Sequence, residues 1–314
     1  MRVEHVEPGS EGPVSAAISR VVAVINPLSG AGLDPQAAAT RTALVHEVLR
    51  RHGLTATVHI TERGGHAREL AAGAAAHDAD LVIVWGGDGT VNEAGSALVG
   101  SRTALALVPA GSGNGLAASL CVPRESRAAL EHLIAAPVRT IDVGFLGDRP
   151  FFNIAGIGLD AHIAAEFNRR TRGRRGKWPY VSIGVREGLR YRALDYAIEF
   201  DGQLSTATAL LLAFANGAEY GMGACLSPGA KLDDGVLEAT VVEDRSAWAR
   251  FIDARHLALR TIARAPKVRC AGIRRGRVSR VPGGPMLYHV DGEPGMSETP
   301  LDVRIEPAAL RVKA

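Results

Sequence analysis

The sequence predicts a doubly wound α/β domain followed by an antiparallel β-sandwich. Three observations predict it. Apolar strand-like runs alternate with amphipathic helical stretches from about residue 20 to residue 140, the pattern of a parallel sheet covered by helices. Glycine-bearing turns follow several of those strands. Beyond residue 140, short β-rich runs separated by Asp-Gly dipeptides take over, as in an antiparallel sandwich.

In order, Val21–Ile25 reads as a strand and Gln36–His52 as an amphipathic helix ended by Gly53. Thr55–Ile60 is a second strand and His66–His77 a second helix; Leu81–Trp85 and Ala104–Val108 are further strands. In the second half, strands are expected at Asp195–Phe200, Thr206–Ala215, Leu237–Val242, Val268–Gly272 and Met286–Val290. Asp201-Gly202, Asp234-Gly235 and Asp291-Gly292 supply turns, and helices interrupt at about Arg174–Arg192 and Ala247–Ala263. The expected division is a flexible tail over 1–19, an α/β domain over 20–142, and a sandwich over 143–301. Residues 302–314 then return to the first domain.

Length and composition fit a globular chain of one large or two ordinary domains: 314 residues, 46% apolar, 36 glycines. Cys121, Cys225 and Cys270 have no metal or redox spacing, and isolated thiols suit a reducing cytoplasm. No run approaches the ~18–20 apolar residues needed to cross a bilayer. The acidic N-terminal stretch lacks the hydrophobic segment of a signal peptide. Net charge is only +3 but unevenly placed. Residues 1–140 hold 11 Arg and no Lys against 13 acids, and the rest holds 25 basic against 20 acidic groups. Much of that excess lies in Arg169–Lys177, just before Trp178 and Tyr180. Two interpretations stand open for it: contact with an anionic membrane surface, or a solvated loop. Nucleic acid is not expected, for want of a stacking platform or recognition helix.

The most informative stretch is Gly86-Gly87-Asp88-Gly89-Thr90-Val91-Asn92-Glu93, at the end of the apolar run Leu81–Trp85. Three glycines within four residues let backbone approach a ligand closely. A helix expected to begin near Val91 would offer free amides and a positive dipole end to phosphate. Asp88 among those amides can hold Mg²⁺ through oxygen or water. A plain tight turn needs fewer glycines. The Walker pattern is absent, so phosphate must be held without a P-loop lysine. Asn26-Pro27-Leu28-Ser29-Gly30 and Pro109-Ala110-Gly111-Ser112-Gly113-Asn114-Gly115 end two other parallel strands. All three loops should therefore meet at one crevice, with Ser112 and Asn114 donating to phosphate. Thr61 closes a strand too, as a contact or as a helix cap.

Other motifs are ambiguous alone. Lys231-Leu232-Asp233-Asp234-Gly235-Val236 is a cation site or a solvated Asp-Gly hairpin. Glu293, after Asp291-Gly292, can serve as a general base if it faces a phosphate. Gly156-Ile157-Gly158-Leu159-Asp160-Ala161 fits G-x-G-x-x-A but lacks the strand and acidic residue of a dinucleotide unit. It reads as a tight strand-to-helix connection.

Taken together, these residues resemble the diacylglycerol kinase catalytic domain family, which includes bacterial lipid kinases and sphingosine kinases. The resemblance rests on Asn26–Gly30, Gly86–Glu93, Pro109–Ala117, Asn216-Gly217 with Tyr220-Gly221-Met222-Gly223, Lys231–Val236 and Asp291-Gly292-Glu293. It implies an ATP-binding domain of the NAD kinase/phosphofructokinase type, a sandwich domain, and a last strand, Leu301–Val312, returning to the first domain. It implies nucleotide contacts at Asn26–Gly30, Thr61, Gly86–Glu93 and Ser112, with Asp88 organising Mg²⁺ through water. Asp234 and the carbonyls of Lys231 and Val236 match a structural Mg²⁺ site, Glu293 the general base, and Asp142 an acid of the active-site network.

One departure is Asn114-Gly115-Leu116-Ala117, where bacterial members usually carry Asn-Asp-Phe-Ala; the form here looks more like sphingosine kinases. The expected activity is ATP-dependent phosphorylation of a membrane-lipid hydroxyl, diacylglycerol-type or sphingoid. The expected partners are that lipid, an anionic membrane surface and a second copy of the chain, at the cytoplasmic face. NAD kinases share the Gly-Gly-Asp-Gly-Thr loop and are the alternative, although Asp-Gly-Glu and the basic loop fit the lipid family better. A non-catalytic relative would not need Asp88, Asp234 and Glu293 together.

Overall fold

The computed structural model describes residues 18–30, 36–170, 177–219, 226–253, 256, 259 and 261–314. The first half runs β1 (Val21–Ile25), α1 (Ala37–Arg51), β2 (Ala56–Ile60), α2 (His66–Ala76), β3 (Leu81–Gly86), α3 (Asp88–Leu98), β4 (Ala104–Pro109), α4 (Gly115–Ser119) and α5 (Ser126–Ala135). It continues through β5 (Val138–Leu146), β6 (Arg149–Phe151), β7 (Ile154–Gly158), α6 (Leu159–Arg170), α7 (Lys177–Arg190), β8 (Leu194–Phe200), β9 (Gln203–Ala215) and β10 (Leu237–Glu243). Then come α8 (Ala247–Asp253), β11 (Val268–Ile273), β12 (Arg275–Val281), β13 (Met286–Val290), β14 (Glu293–Ser297) and β15 (Leu301–Lys313).

The parallel strands lie in the order β2-β1-β3-β4, and every residue of β3 and β4 is buried. Central strands covered on both faces need such unbroken apolar runs. β2 alternates between half-buried and exposed positions because it is the sheet's outer edge. Above the sheet, α2 presents Ala67, Ala71 and Ala74 to the core, and their small side chains let α2 lie close to α3. Gly53, at φ +71°, ends α1 in the left-handed region glycine favours.

The rest is an antiparallel β-sandwich. Phe151, Tyr196, Leu212, Phe214 and Val278 fill its core. β15 belongs to both halves: Leu301–Arg304 pair with β12, Leu310–Lys313 with β5, and Val312 meets Leu105 of β4.

The pattern missed several elements for identifiable reasons. α3 begins at Asp88, not near Val91; an acidic residue is favoured in a helix's first turn, so the phosphate-type loop is shorter than it reads. β12 carries three arginines and buries only Val278, which hides its period. β14 contains Pro294 and Gly295 and sits at the end of the sheet path, where proline is tolerated. α8 is described over Ala247–Asp253, His256 is also helical, and Ile262–Arg264 is a 3₁₀ turn. Residues 1–17, most of the Arg169–Lys177 loop and Tyr220–Gly223 lie outside the described residues.

Candidate active site

Strand register builds the site. Ile25 pairs with Ile60 on one side and Trp85 on the other, and Trp85 pairs with Val108. The four strands therefore finish level, and the loops leaving them share one edge. A cavity of about 390 Å³ opens there. It is walled by those loops, by the turn joining β13 to β14, and by Ala164, Phe167 and Asn168 of α6.

The two glycine loops touch backbone to backbone. A methyl group on Gly111 would lie 2.8 Å from Gly87 Cα, and one on Gly87 would lie 3.2 Å from Gly111 Cα, so a side chain at Gly111 would force the loops apart and one at Gly87 would crowd them. Asp88 crosses this junction: its Oδ2 accepts the Asn114 amide and its Oδ1 the Gly115 amide, both at 2.8 Å. The sequence suggested amides of its own helix; the structure adds two from the second loop. Burial pushes the Asp88 carboxyl above the usual carboxylate range; the two amides oppose this, and nearby Asp291 adds to it. Asn114 is tied to its own loop and is not among the cavity's lining residues. Its Oδ1 accepts the Gly111 amide at 2.8 Å and its Nδ2 donates to the Gly111 carbonyl at 2.7 Å.

Gly115 has its own reason. A methyl group there would collide with Asn153 Nδ2, which donates to the Glu219 carbonyl at 2.7 Å. Asn153 Oδ1 accepts the Ser119 hydroxyl at 3.1 Å. An aspartate at this position would run into this asparagine.

Arg41, which sequence reasoning passed over, sets the first loop. From α1 its Nη1 donates to the Asn26 carbonyl at 2.5 Å and its Nη2 to the Ser29 carbonyl at 2.6 Å. The guanidinium also lies over the Trp85 ring, 5.6 Å from its centroid. Asn26 Nδ2 donates to Thr90 Oγ1 at 2.9 Å, tying this loop to α3. One arginine on a helix carries no sequence signal for such a role.

Of the expected nucleotide contacts, Asn26, Leu28, Thr61, Gly87, Asp88, Gly89, Thr90, Glu93 and Ser112 line the cavity. Pro27, Ser29, Gly30, Gly86, Val91 and Asn92 are not among its lining residues. Ser29 and Asn92 are buried; Ser29 Oγ donates to the Asn26 carbonyl, and Asn92 Nδ2 donates to the Pro150 carbonyl and Asp291 Oδ2. Both shape the walls from behind.

Asp291 is the hub of the opposite wall. Its carboxylate accepts the amides of Phe152, Asn153 and Ile154 at 2.9–3.0 Å, besides Asn92 from α3. One side chain thus joins three elements and fixes the turn that carries Glu293. Glu293 Oε1 reaches the first turn of α3, where a methyl group on Gly89 would lie 2.5 Å away. Behind the turn, His289 Nε2 and Asp160 Oδ2 are 2.6 Å apart, each side chain 3% exposed. Burial favours a neutral ring there, but the Asp160 charge outweighs it and holds His289 above the ordinary histidine range.

The Lys231–Val236 turn stands outside this cavity. Asp234 is exposed, and its Oδ1 accepts the Val236 amide at 3.1 Å. Asp142 is buried and does not line the cavity: its oxygens accept the Gly235 amide at 2.6 Å and the Ala308 amide at 2.7 Å. It ties the turn to β15. No cluster of three His, Cys, Asp or Glu suited to a metal occurs among the described residues. Carboxylate oxygens such as those of Asp88 and Asp234 are nonetheless the donor type a hard cation takes.

Residues 20–146 match the model of the diacylglycerol kinase catalytic domain, and residues 153–314 that of the YegS C-terminal NAD kinase beta sandwich-like domain. A diacylglycerol kinase of Mycobacterium tuberculosis is 33% identical over 237 residues, 73% of this chain and 75% of that protein. A "Probable lipid kinase YegS-like" of Chromohalobacter salexigens is 35% identical over 62% of this chain; the match spans 64% of that relative, just under two thirds of its length. A crystal structure of a Bacillus anthracis diacylglycerol kinase shares the fold, with TM-score 0.70 and 20% identity over 94% of this chain and 96% of that one. A second structure from that organism gives TM-score 0.76 at 23% identity, with the same coverage. The catalytic-domain model covers the joined glycine loops and the sandwich model covers the Asp291–Glu293 turn: this chain belongs to the diacylglycerol kinase family of lipid kinases.

Proposed function

We propose that this chain transfers the γ-phosphate of ATP to a hydroxyl of a membrane lipid, of the diacylglycerol type first and sphingoid second. The observation that carries this is the Glu293 carboxylate at the first turn of α3, in a cavity shared by the glycine loops and α6. Phosphoryl transfer asks mainly for positioning and for neutralisation of charge. The amides at the start of α3 suit phosphate oxygens, and Glu293 would take the proton of the acceptor hydroxyl. Mg²⁺, when bound, would neutralise phosphate charge; Asp88 would hold it through water. Asp234 with the carbonyls of Lys231 and Val236 would hold a second, structural ion.

The acceptor would approach along Phe167 and Asn168 of α6. Relatives named diacylglycerol kinase favour a glycerolipid. No described helix is long and apolar enough to cross a membrane, so the lipid would be taken up by peripheral contact. Trp248 and Leu189 are exposed at 71% and 43% near exposed Arg186, Arg190 and Arg192, a combination that suits an anionic bilayer at the inner face. Arg250 ties α8 to α7 there by donating to the Gly188 and Tyr191 carbonyls.

The test is transfer from labelled ATP, with Mg²⁺, to diacylglycerol, monoacylglycerol, phosphatidylglycerol, sphingosine and ceramide in mixed micelles, with NAD assayed separately. A labelled lipid is expected, and Glu293→Gln should reduce its formation by ~10² to 10⁴ while sparing ATP binding. Labelled NAD alone would move the chain to the nucleotide-kinase branch. A near-normal rate in the variant would remove Glu293 as base.

A further inference from the structure

We propose that the buried Asp160–His289 pair is a positioning device, which holds the Glu293 carboxylate in place through the backbone amide of Gly292. Naming Glu293 as the group positioned rests on the function proposed above.

The geometry forms a chain of contacts. Asp160 lies in the first turn of α6, and its Oδ2 meets His289 Nε2 on β13 at 2.6 Å. On the ring's other side, the Gly292 amide donates to Nδ1 at 3.2 Å. An amide hydrogen aimed at Nδ1 requires that nitrogen to accept, so the neutral ring that serves the turn carries its proton on Nε2, pointing at Asp160; a ring protonated on both nitrogens would make Nδ1 a donor and release the Gly292 amide. Asp160 thereby fixes the tautomer that the turn needs.

The turn has two central residues, each held separately. Asp291 is fixed by its carboxylate, through the amides of residues 152–154. Gly292 has no side chain, and its amide is held by His289. Glu293 follows directly and pairs with Val290 across the hairpin, so its orientation depends on how the Gly292 peptide is set.

Burying an ionisable pair is a costly way to fill a core, and an apolar pair is often as stable. Here the backbone is also shaped to admit it. Gly156 pairs with His289 in the sheet, and a methyl group on Gly156 would collide with the Asp160 carboxylate and come 2.7 Å from His289 Nε2. The G-x-G-x-x-A pattern over Gly156–Ala161 therefore makes room for an Asp–His pair where its look-alike would hold a dinucleotide.

His289→Gln separates positioning from packing, because its side-chain amide can still reach Asp160 but cannot accept from Gly292. The kcat for lipid phosphorylation should fall roughly 10- to 100-fold with KM for ATP unchanged. The ¹³C signal of the Glu293 carboxyl at a fixed pH should move as the carboxylate leaves its place beside Gly89. Loss of thermal stability with wild-type kcat and an unmoved Glu293 signal would overturn the proposal. Should the variant not fold, ¹⁵N-imidazole NMR of the unaltered protein decides: a proton on Nε2 is expected, and one on Nδ1 would overturn it. If no acceptor is phosphorylated at all, the functional reading fails by itself, while the Glu293 ¹³C signal and the tautomer still test the positioning.

Discussion

Glu293 and Gly89 come from opposite ends of the chain and meet so closely that a single methyl group would part them. Glu293 Oε1 would stand 2.5 Å from a Cβ on residue 89. The glycine in the first turn of α3 thus makes the berth for a carboxylate delivered by the β13–β14 hairpin.

Gly89→Ala should therefore act on rate and hardly on stability. The atom it meets is the far end of a side chain that can swing aside, and alanine suits a helix better than glycine. The expected result is a kcat lowered by about 10², with an unchanged or slightly higher melting temperature and intact ATP binding. A normal kcat would show that Glu293 need not sit there.

Arg41→Lys should weaken nucleotide binding. The guanidinium holds the Asn26 and Ser29 carbonyls at once, and an ammonium cannot reproduce that fork. A KM for ATP raised about tenfold, equal to about 1.4 kcal/mol, with kcat within a factor of about two, is expected. Isothermal titration with a non-hydrolysable ATP analogue checks it.

Gly115→Asp should destabilise this chain. The new Cβ runs into Asn153 Nδ2, whose hydrogen bonds to Glu219 and Ser119 hold it in place. Overpacking of this kind costs about 1–3 kcal/mol, measurable by thermal melting. Adding Asn153→Ala should recover part of the loss.

Acid stability should depend on Asp80. Its carboxylate accepts the Arg20 and Ser19 amides, each at 2.8 Å. The Arg20 amide first, then that of Ser19, hold its pKa below the usual aspartate range. A carboxyl lowered by folding stabilises fully above its unfolded value of about 3.9. That contribution is lost as pH falls through the lowered native value. In Asp80→Asn the melting temperature should fall less steeply below about pH 4; an unchanged slope would refute the assignment.

Much of this was legible in the chain, because local patterns carry it. The alternation that gives β1 to β4, the Gly-Gly-Asp-Gly loop, and the Asp-Gly turn before Glu293 all follow from side-chain period and turn chemistry, which neighbouring residues settle among themselves. β12 and β14 were not legible, since arginines and a proline masked strands that only sheet partners stabilise. The partners of single side chains stayed hidden for the same reason. Asp88 holds amides 26 and 27 residues away, Asp291 gathers α3 and the start of β7, Arg41 reaches across to the first loop, and His289 finds Asp160 129 residues upstream. The sequence by itself determined which elements form and which loops end beside one another. Tertiary structure alone decided which polar groups meet, because burial leaves each of them to find a partner wherever packing brings one within hydrogen-bond reach.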